Sequence, residues 1–316
     1  DTELAMEAMV ESAMKDTCGY SMGYFVGLEN YKKYGYVPCD LEMESVARTL
    51  EYAFDDWAIS QFASLTNHSQ IYDKFYTRSL NYKNVIDTST LLARGKTKAG
   101  HWREPFYPLR SEHRADDYCE GNAWQWTFFV PHDVNGLAEL MGGKDVLASR
   151  LDSLFTMSST LEGETVSGDI SGLIGQYAHG NEPGHHTIYM YNEIGQPYKT
   201  QKYVNEVLTT LYDNTPEGIC GNEDTGQMSA WYVFSSLGFY PMDPVSGKYQ
   251  LGAPLFDRAS INLPSGKQFI VTADNLSDKN IYVKEVWLND HLLDRAYITF
   301  EELVIDRVMA FIIALS

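Results

Sequence analysis

Long apolar runs are missing from this 316-residue chain, and so is any surplus of positive charge. No stretch reaches the roughly twenty apolar residues of a membrane span, and Val308-Met309-Ala310-Phe311-Ile312-Ile313-Ala314-Leu315 near the C-terminus is too short. A membrane is therefore not an expected partner. With 24 Lys+Arg against 43 Asp+Glu the formal charge is −19, a field that repels nucleic-acid backbones and anionic lipid heads. Neutral substrates and bound cations fit that acidity, as does plain solubility. Cysteine is scarce. Cys18, Cys39, Cys119 and Cys220 lack the Cys-x-x-Cys spacing of a zinc knuckle or redox motif and read as buried free thiols. A starting methionine and a basic leader are also lacking, so the chain is expected to be a fragment whose targeting signal is unreadable. No tandem repeat is visible, which disfavours a solenoid, and nothing in the sequence fixes an oligomeric state.

What is abundant is aromatic. Tyr 22, Trp 6 and Phe 14 make 13% of the chain, enough for a large core and for the flat, polar-rimmed walls of a sugar pocket. Two regimes follow one another. Up to residue 243 apolar residues recur at helical spacing: Leu50, Ala53, Phe54, Trp57 and Ala58; Val134, Leu137, Leu140 and Met141; Val204, Val207, Leu208 and Leu211. Long polar loops at 95–114 and 163–172 lie between them, where sites are commonly built. From 244 to 316 the pattern alternates, at 260–263, 268–273 and 281–288, as antiparallel strands do. The expected fold is mainly α: a toroid-like (α/α) helical domain over 1–243, whole or incomplete, followed by a small antiparallel β module over 244–316.

Three islands concentrate polar chemistry. In the first, Glu120 lies beside Gly121 and near Trp124 and Trp126, and apolar flanks raise a carboxyl pKa toward that of a general acid. The alternative is that Glu120 merely opens a helix. In the second, Gly180-Asn181-Glu182-Pro183-Gly184-His185-His186, the oxygens of Asn181 and Glu182 are hard donors of the kind calcium prefers, with both histidines available to a ligand. Asn181 could equally cap a helix. A zinc reading of His185 and His186 lacks His-Glu-x-x-His spacing. The third island, Asn222-Glu223-Asp224 between Gly221 and Gly226, precedes a helix marked by Met228, Trp231, Tyr232, Phe234 and Leu237. Its acids could simply complement the helix dipole, or Asp224 could activate water as a general base opposite Glu120, as in inverting glycosidases.

Glu120-Gly121-Asn122-Ala123-Trp124-Gln125, the Gly180 to His186 motif with Tyr191-Asn192 and Pro197-Tyr198-Lys199-Thr200-Gln201, the Gly221 to Gln227 motif with Ser229-Ala230-Trp231-Tyr232, and Leu237-Gly238-Phe239-Tyr240-Pro241 together resemble glycoside hydrolase family 92. The resemblance runs in order to about Phe256. It implies an exo-acting, calcium-dependent, inverting α-mannosidase, often for α-1,2 linkages, with an (α/α)6 barrel beside a β-sandwich, in the periplasm, on the cell surface or secreted. It further implies Glu120 as general acid and Asp224 as general base. Glu182, Asn181 and Gln125 fall where calcium ligands belong, and Trp124, Gln125, His185, His186, Asn222 and Glu223 are candidate contacts to a mannose-containing glycan. Three departures stand out. Asn222 replaces a further acid that many members carry two residues before the base. The large N-terminal β domain of members is not in this sequence, and the ending after Glu302 lacks the glycine turn expected before a last strand. A weak or inactive glycan-binding fragment is the alternative reading.

Overall fold

The computed structural model describes residues 1–15 and 25–304, and the backbone of 309–315. Cys18 and the 305–308 part of the unusual ending lie outside the described residues. The helices are α1 (Thr2–Met14), α2 (Leu28–Tyr34), α3 (Ser45–Leu65), α4 (Ser69–Ser79), α5 (Ala123–Trp126), α6 (Val134–Met141), α7 (Lys144–Thr156), α8 (Met190–Glu193), α9 (Pro197–Thr210), α10 (Gln227–Ser236) and α11 (Phe300–Val304). The strands are β1 (Ile86–Asp87), β2 (Leu92–Ala93), β3 (Leu173–Ile174), β4 (Tyr177–Ala178), β5 (Phe239–Tyr240), β6 (Lys248–Leu251), β7 (Arg258–Asn262), β8 (Gln268–Asp274), β9 (Val283–Leu288), β10 (His291–Leu292), β11 (Tyr297–Thr299) and β12 (Met309–Leu315). Two compact units result, Asp1–Ala178 and His179–Ser316.

The first unit is helical, with the two-stranded ribbons β1–β2 and β3–β4. In α3 the buried residues Val46, Leu50, Ala53, Ile59 and Ala63 hold the stripe read from the spacing, while Phe54, Trp57 and Ala58 sit at its half-buried margin. α6 has a complete set of end signals. The Asp133 carboxylate accepts from Gly136 N at 2.9 Å, and Gly142 closes the helix at φ +103°, a conformation that glycine adopts without strain. The two long loops are fastened together by the backbone bond from His113 N to Thr165 O (2.8 Å) and by Glu112, which accepts from Glu164 N (2.9 Å), Thr165 N (3.0 Å) and Thr165 Oγ1 (2.6 Å).

In the second unit, strand order is β10-β9-β12-β8-β7 in one sheet and β11-β6-β5 in the other. Phe269, Val271 and Ala273 of β8 alternate inward and share a core with Phe239, Leu251, Val286, Leu288, Ile298 and Leu303. The expectation of purely antiparallel pairing needs correction here, because β12 runs parallel to β8 while pairing antiparallel with β9. A strand that arrives after β11 and α11, from a distant part of the sequence, can insert in either direction, and alternation of side chains does not encode which. Among the described residues no helix is long and apolar enough to cross a membrane.

Candidate active site

Glu120 sits in a left-handed turn at φ +48°, three residues before α5, so it does not open that helix. Asn122 opens it instead. Its carboxamide oxygen accepts from Trp124 N (3.0 Å) and Gln125 N (3.3 Å), while Gln125 Oε1 accepts from Asn122 N at 2.9 Å. This reciprocal capping box secures a helix of a single turn. Asn122 Nδ2 is tied in turn to Gln176 Oε1 at 2.9 Å, and Trp126 Nε1 donates to Cys119 O at 2.7 Å. Gly121 has no room for a side chain, since a Cβ would lie 2.7 Å from Trp126 Nε1. The turn carrying Glu120 is thus locked on both sides.

The candidate contacts of this unit have specific states. Trp124 is buried, and the Arg150 guanidinium lies 4.2 Å from its ring centroid, which leaves little of the indole as a sugar platform. The Gln125 carbonyl oxygen already serves the capping box, while its buried Nε2 has no hydrogen-bond partner. Its oxygen is therefore committed to the helix start. Residues that the sequence did not single out complete the electrostatics. Burial by the surrounding protein wall, helped by the charges of Asp55, Glu44 and Glu120, pushes the solvent-reached Glu51 up to about 7. Burial with Glu44, Glu120 and Glu51 pushes the Cys119 thiol up to about 12. Glu51 and Asp55 lie four apart on α3, a pattern that in sequence looks like any solvated helix face.

In the second unit the two glycine-flanked turns touch. A Cβ on Gly221 would lie 2.3 Å from Gly180 O and 2.7 Å from Gly180 Cα, so glycine is required for the approach. Two further ties join the segments: Trp231 Nε1 donates to His185 O (3.1 Å), and Gln227 Nε2 donates to His185 Nδ1 (3.2 Å). Asn181 is buried and its side chain does not cap the short helix that begins at Glu182, against the simple capping alternative. Oε1 of Glu182 is also buried. Asp224, Thr225 and Gly226 are three successive left-handed residues (φ +39°, +58°, +90°), which present Asp224 at the surface. Non-glycine residues held in this region mark places where the surrounding structure imposes the conformation.

Its neighbours differ. Glu223 accepts from Ser229 N (3.0 Å) and Ser229 Oγ (2.8 Å), capping the start of α10 as the helix-dipole alternative anticipates. Asn222 is exposed. His185 has both ring nitrogens engaged within the protein, Nε2 on His179 O (2.9 Å) and Nδ1 on Gln227. It thus supports the turn, and neither nitrogen is left for zinc or for a sugar. His186 is buried beside it.

Burial holds His185 down to about 4 and His179, stacked on it at 4.7 Å, well below the usual range; His132 of the first unit is likewise held at about 4. These groups are neutral in the fold and bind protons more readily once unfolded. Stability is therefore full above pH 6.5 and is lost as pH falls from 6.5 toward 4, by at most about 3 kcal/mol per histidine. Thermal unfolding followed from pH 7 to pH 4 is expected to show this decline, and His185→Gln to show a shallower slope; an unchanged slope would contradict the burial of a neutral ring.

The sequence matches the glycosyl hydrolase family 92 catalytic domain over residues 1–313. A family 92 α-mannosidase from Bacteroides thetaiotaomicron, solved in complex with mannoimidazole, is 40% identical and superposes with a TM-score of 0.91 over 100% of this chain and 41% of its own. An inverting family 92 mannosidase from the same organism is 36% identical, with a TM-score of 0.87 over 100% of this chain and 43% of its own. An uncharacterized secreted glycosidase from Arthroderma benhamiae is 26% identical over 332 residues, 95% of this chain and 40% of the relative. The chain thus spans about two-fifths of the length of these relatives. On the match across both compact units, the chain belongs to glycoside hydrolase family 92.

Proposed function

We propose that the chain is the catalytic region of an exo-acting α-mannosidase that removes terminal α-linked mannose, α-1,2 linkages included, by calcium-assisted inverting hydrolysis. The observation that supports this most is the fastening of the Asp224 turn to the Asn181-Glu182 turn through Gly221, Gln227 and Trp231. It sets a water-activating carboxylate and hard oxygen donors on one rigid platform. Family membership, together with one relative bound to mannoimidazole and another named as inverting, supports mannose as the sugar and inversion as the outcome. A secreted relative supports export from the cytoplasm.

In this reading Glu120 gives its proton to the glycosidic oxygen as that bond breaks. Asp224 takes a proton from the water that attacks the anomeric carbon on the opposite face, so the freed mannose has inverted configuration. His185 holds the turns in place. The residues present fit calcium in kind, since Asn181 and Glu182 offer buried oxygens without a thiolate or imidazole among them. Among the described residues no three His, Cys, Asp or Glu side chains group as a metal site, so amide, water and substrate oxygens would complete the shell. When bound, the ion supplies positive charge that grips vicinal hydroxyls and favours a flattened ring.

The test is mannose release from an α-1,2-linked mannobiose. A calcium chelator is expected to abolish it, added calcium but not zinc to restore it, and the first product to be the β-anomer. No release at any calcium level would instead favour a weak glycan-binding fragment.

A further inference from the structure

The second unit holds a cavity of about 530 Å³, walled by residues of the 192–201 segment, the end of β6, β9 and the 293–297 segment. That volume lies in the range of small-ligand pockets. Three carboxamides line it, Asn192 and Gln201 held at one end by the protein and Gln250 at both. Asn192 Nδ2 donates to Leu251 O (2.8 Å), Ala296 O (3.2 Å) and Gln250 Oε1 (3.3 Å), which settles its orientation and leaves the buried Oδ1 without a hydrogen-bond partner. Gln250 Nε2 donates to Glu193 Oε1 at 2.6 Å. Gln201 Oε1 accepts from Val283 N at 3.0 Å, so its Nε2 is the end left to turn toward a ligand.

Carboxamides held in this way do not reorganise on binding, and a donor such as Gln201 Nε2 is satisfied by a ligand hydroxyl. The lining holds the carboxylates of Glu193, Glu285 and Asp294 against the cations of Lys284 and Arg295, and Arg295 is already paired with Glu302. The remaining field is negative and disfavours phosphates and carboxylates. Aliphatic wall groups such as Leu251 and Leu293 suit the C–H face of a ring. We propose that this cavity is a second sugar site, which takes a neutral hexopyranose through the Gln201 Nε2 donor and the aliphatic wall, and which no residue of the Asp224 and Glu182 turns lines.

The experiment is amide chemical-shift mapping with methyl α-mannoside and methyl α-glucoside, carried out on the chain bearing Glu182→Ala so that binding at the turns is suppressed. Shifts are expected in 192–201, 250–251 and 283–297 at millimolar sugar. Gln201→Glu keeps the bond to Val283 N but replaces the donor with charge, and is expected to weaken binding at least about tenfold. Ala296→Leu, which fills the space, should do the same with the fold intact, as read from the remaining spectrum. An anionic sugar phosphate is expected to leave these amides unmoved. Absence of shifts with both sugars, equal binding in Gln201→Glu and Ala296→Leu, or equal binding of the phosphate would overturn the proposal. Because binding is read without turnover, failure here leaves the mannosidase reading standing, and failure of hydrolysis leaves this site standing.

Discussion

Glu120→Gln is expected to lower turnover of an α-1,2-linked mannobiose by roughly 10² to 10⁴-fold, and Asp224→Asn by a similar factor, with the fold retained in both. Each change removes a transferable proton or its acceptor while keeping side-chain shape, and asparagine tolerates the left-handed backbone that Asp224 adopts. The two roles separate on an aryl α-mannoside whose leaving group needs no protonation. There Glu120→Gln recovers much of its rate and Asp224→Asn does not. Near-normal rates on the mannobiose in either variant would refute that assignment. Glu223→Gln is the contrast. Its carboxylate is engaged by Ser229, so its loss should lower the melting temperature, at about 1 kcal/mol for a lost cap, more than the rate.

Gly221→Ala is expected to be among the most damaging single methyls in the second unit. The added Cβ would stand 2.3 Å from a backbone oxygen, which cannot rotate away as a flexible side chain can. Overpacking of this kind costs about 1–3 kcal/mol, and relief requires the two turns to separate. Because separation moves Asp224 relative to Asn181 and Glu182, turnover should fall by about 10²-fold even where the protein remains folded. Gly168→Ala, at a position with open space and no left-handed backbone, is the control and should change neither quantity. A Gly221→Ala protein with wild-type melting and rate would show that the close contact does not matter.

The candidate site was legible where residue type alone carries the message. Glycines at 121, 180 and 221, with carboxylates and carboxamides among them, mark turns that pack closely and carry polar groups, and the family resemblance rests on those same residues. Reading failed where a side chain had two outlets. His185 offers the same imidazole to a ligand or to the protein, and only the positions of His179 O and Gln227 Nε2 show that the protein takes both nitrogens. Glu223 and Asp224 are adjacent acids before one helix, yet one caps it and the other does not, a choice made by three successive left-handed residues. Trp124 reads by residue type as a sugar platform, whereas Arg150 of α7 covers its ring.

By itself the sequence determined the period of each segment, and with it the helices, the strand alternation and the family, because burial of one stripe or one face writes its spacing directly into the chain. It also determined which residues have the chemistry to move a proton or hold a hard cation. Only the tertiary structure decided that β12 enters its sheet parallel to β8, that Gly221 rests on Gly180, and that Glu51 and Asp55 belong to the electrostatics around Glu120. Those facts join residues far apart in sequence, and contact at a distance depends on packing that no local pattern records.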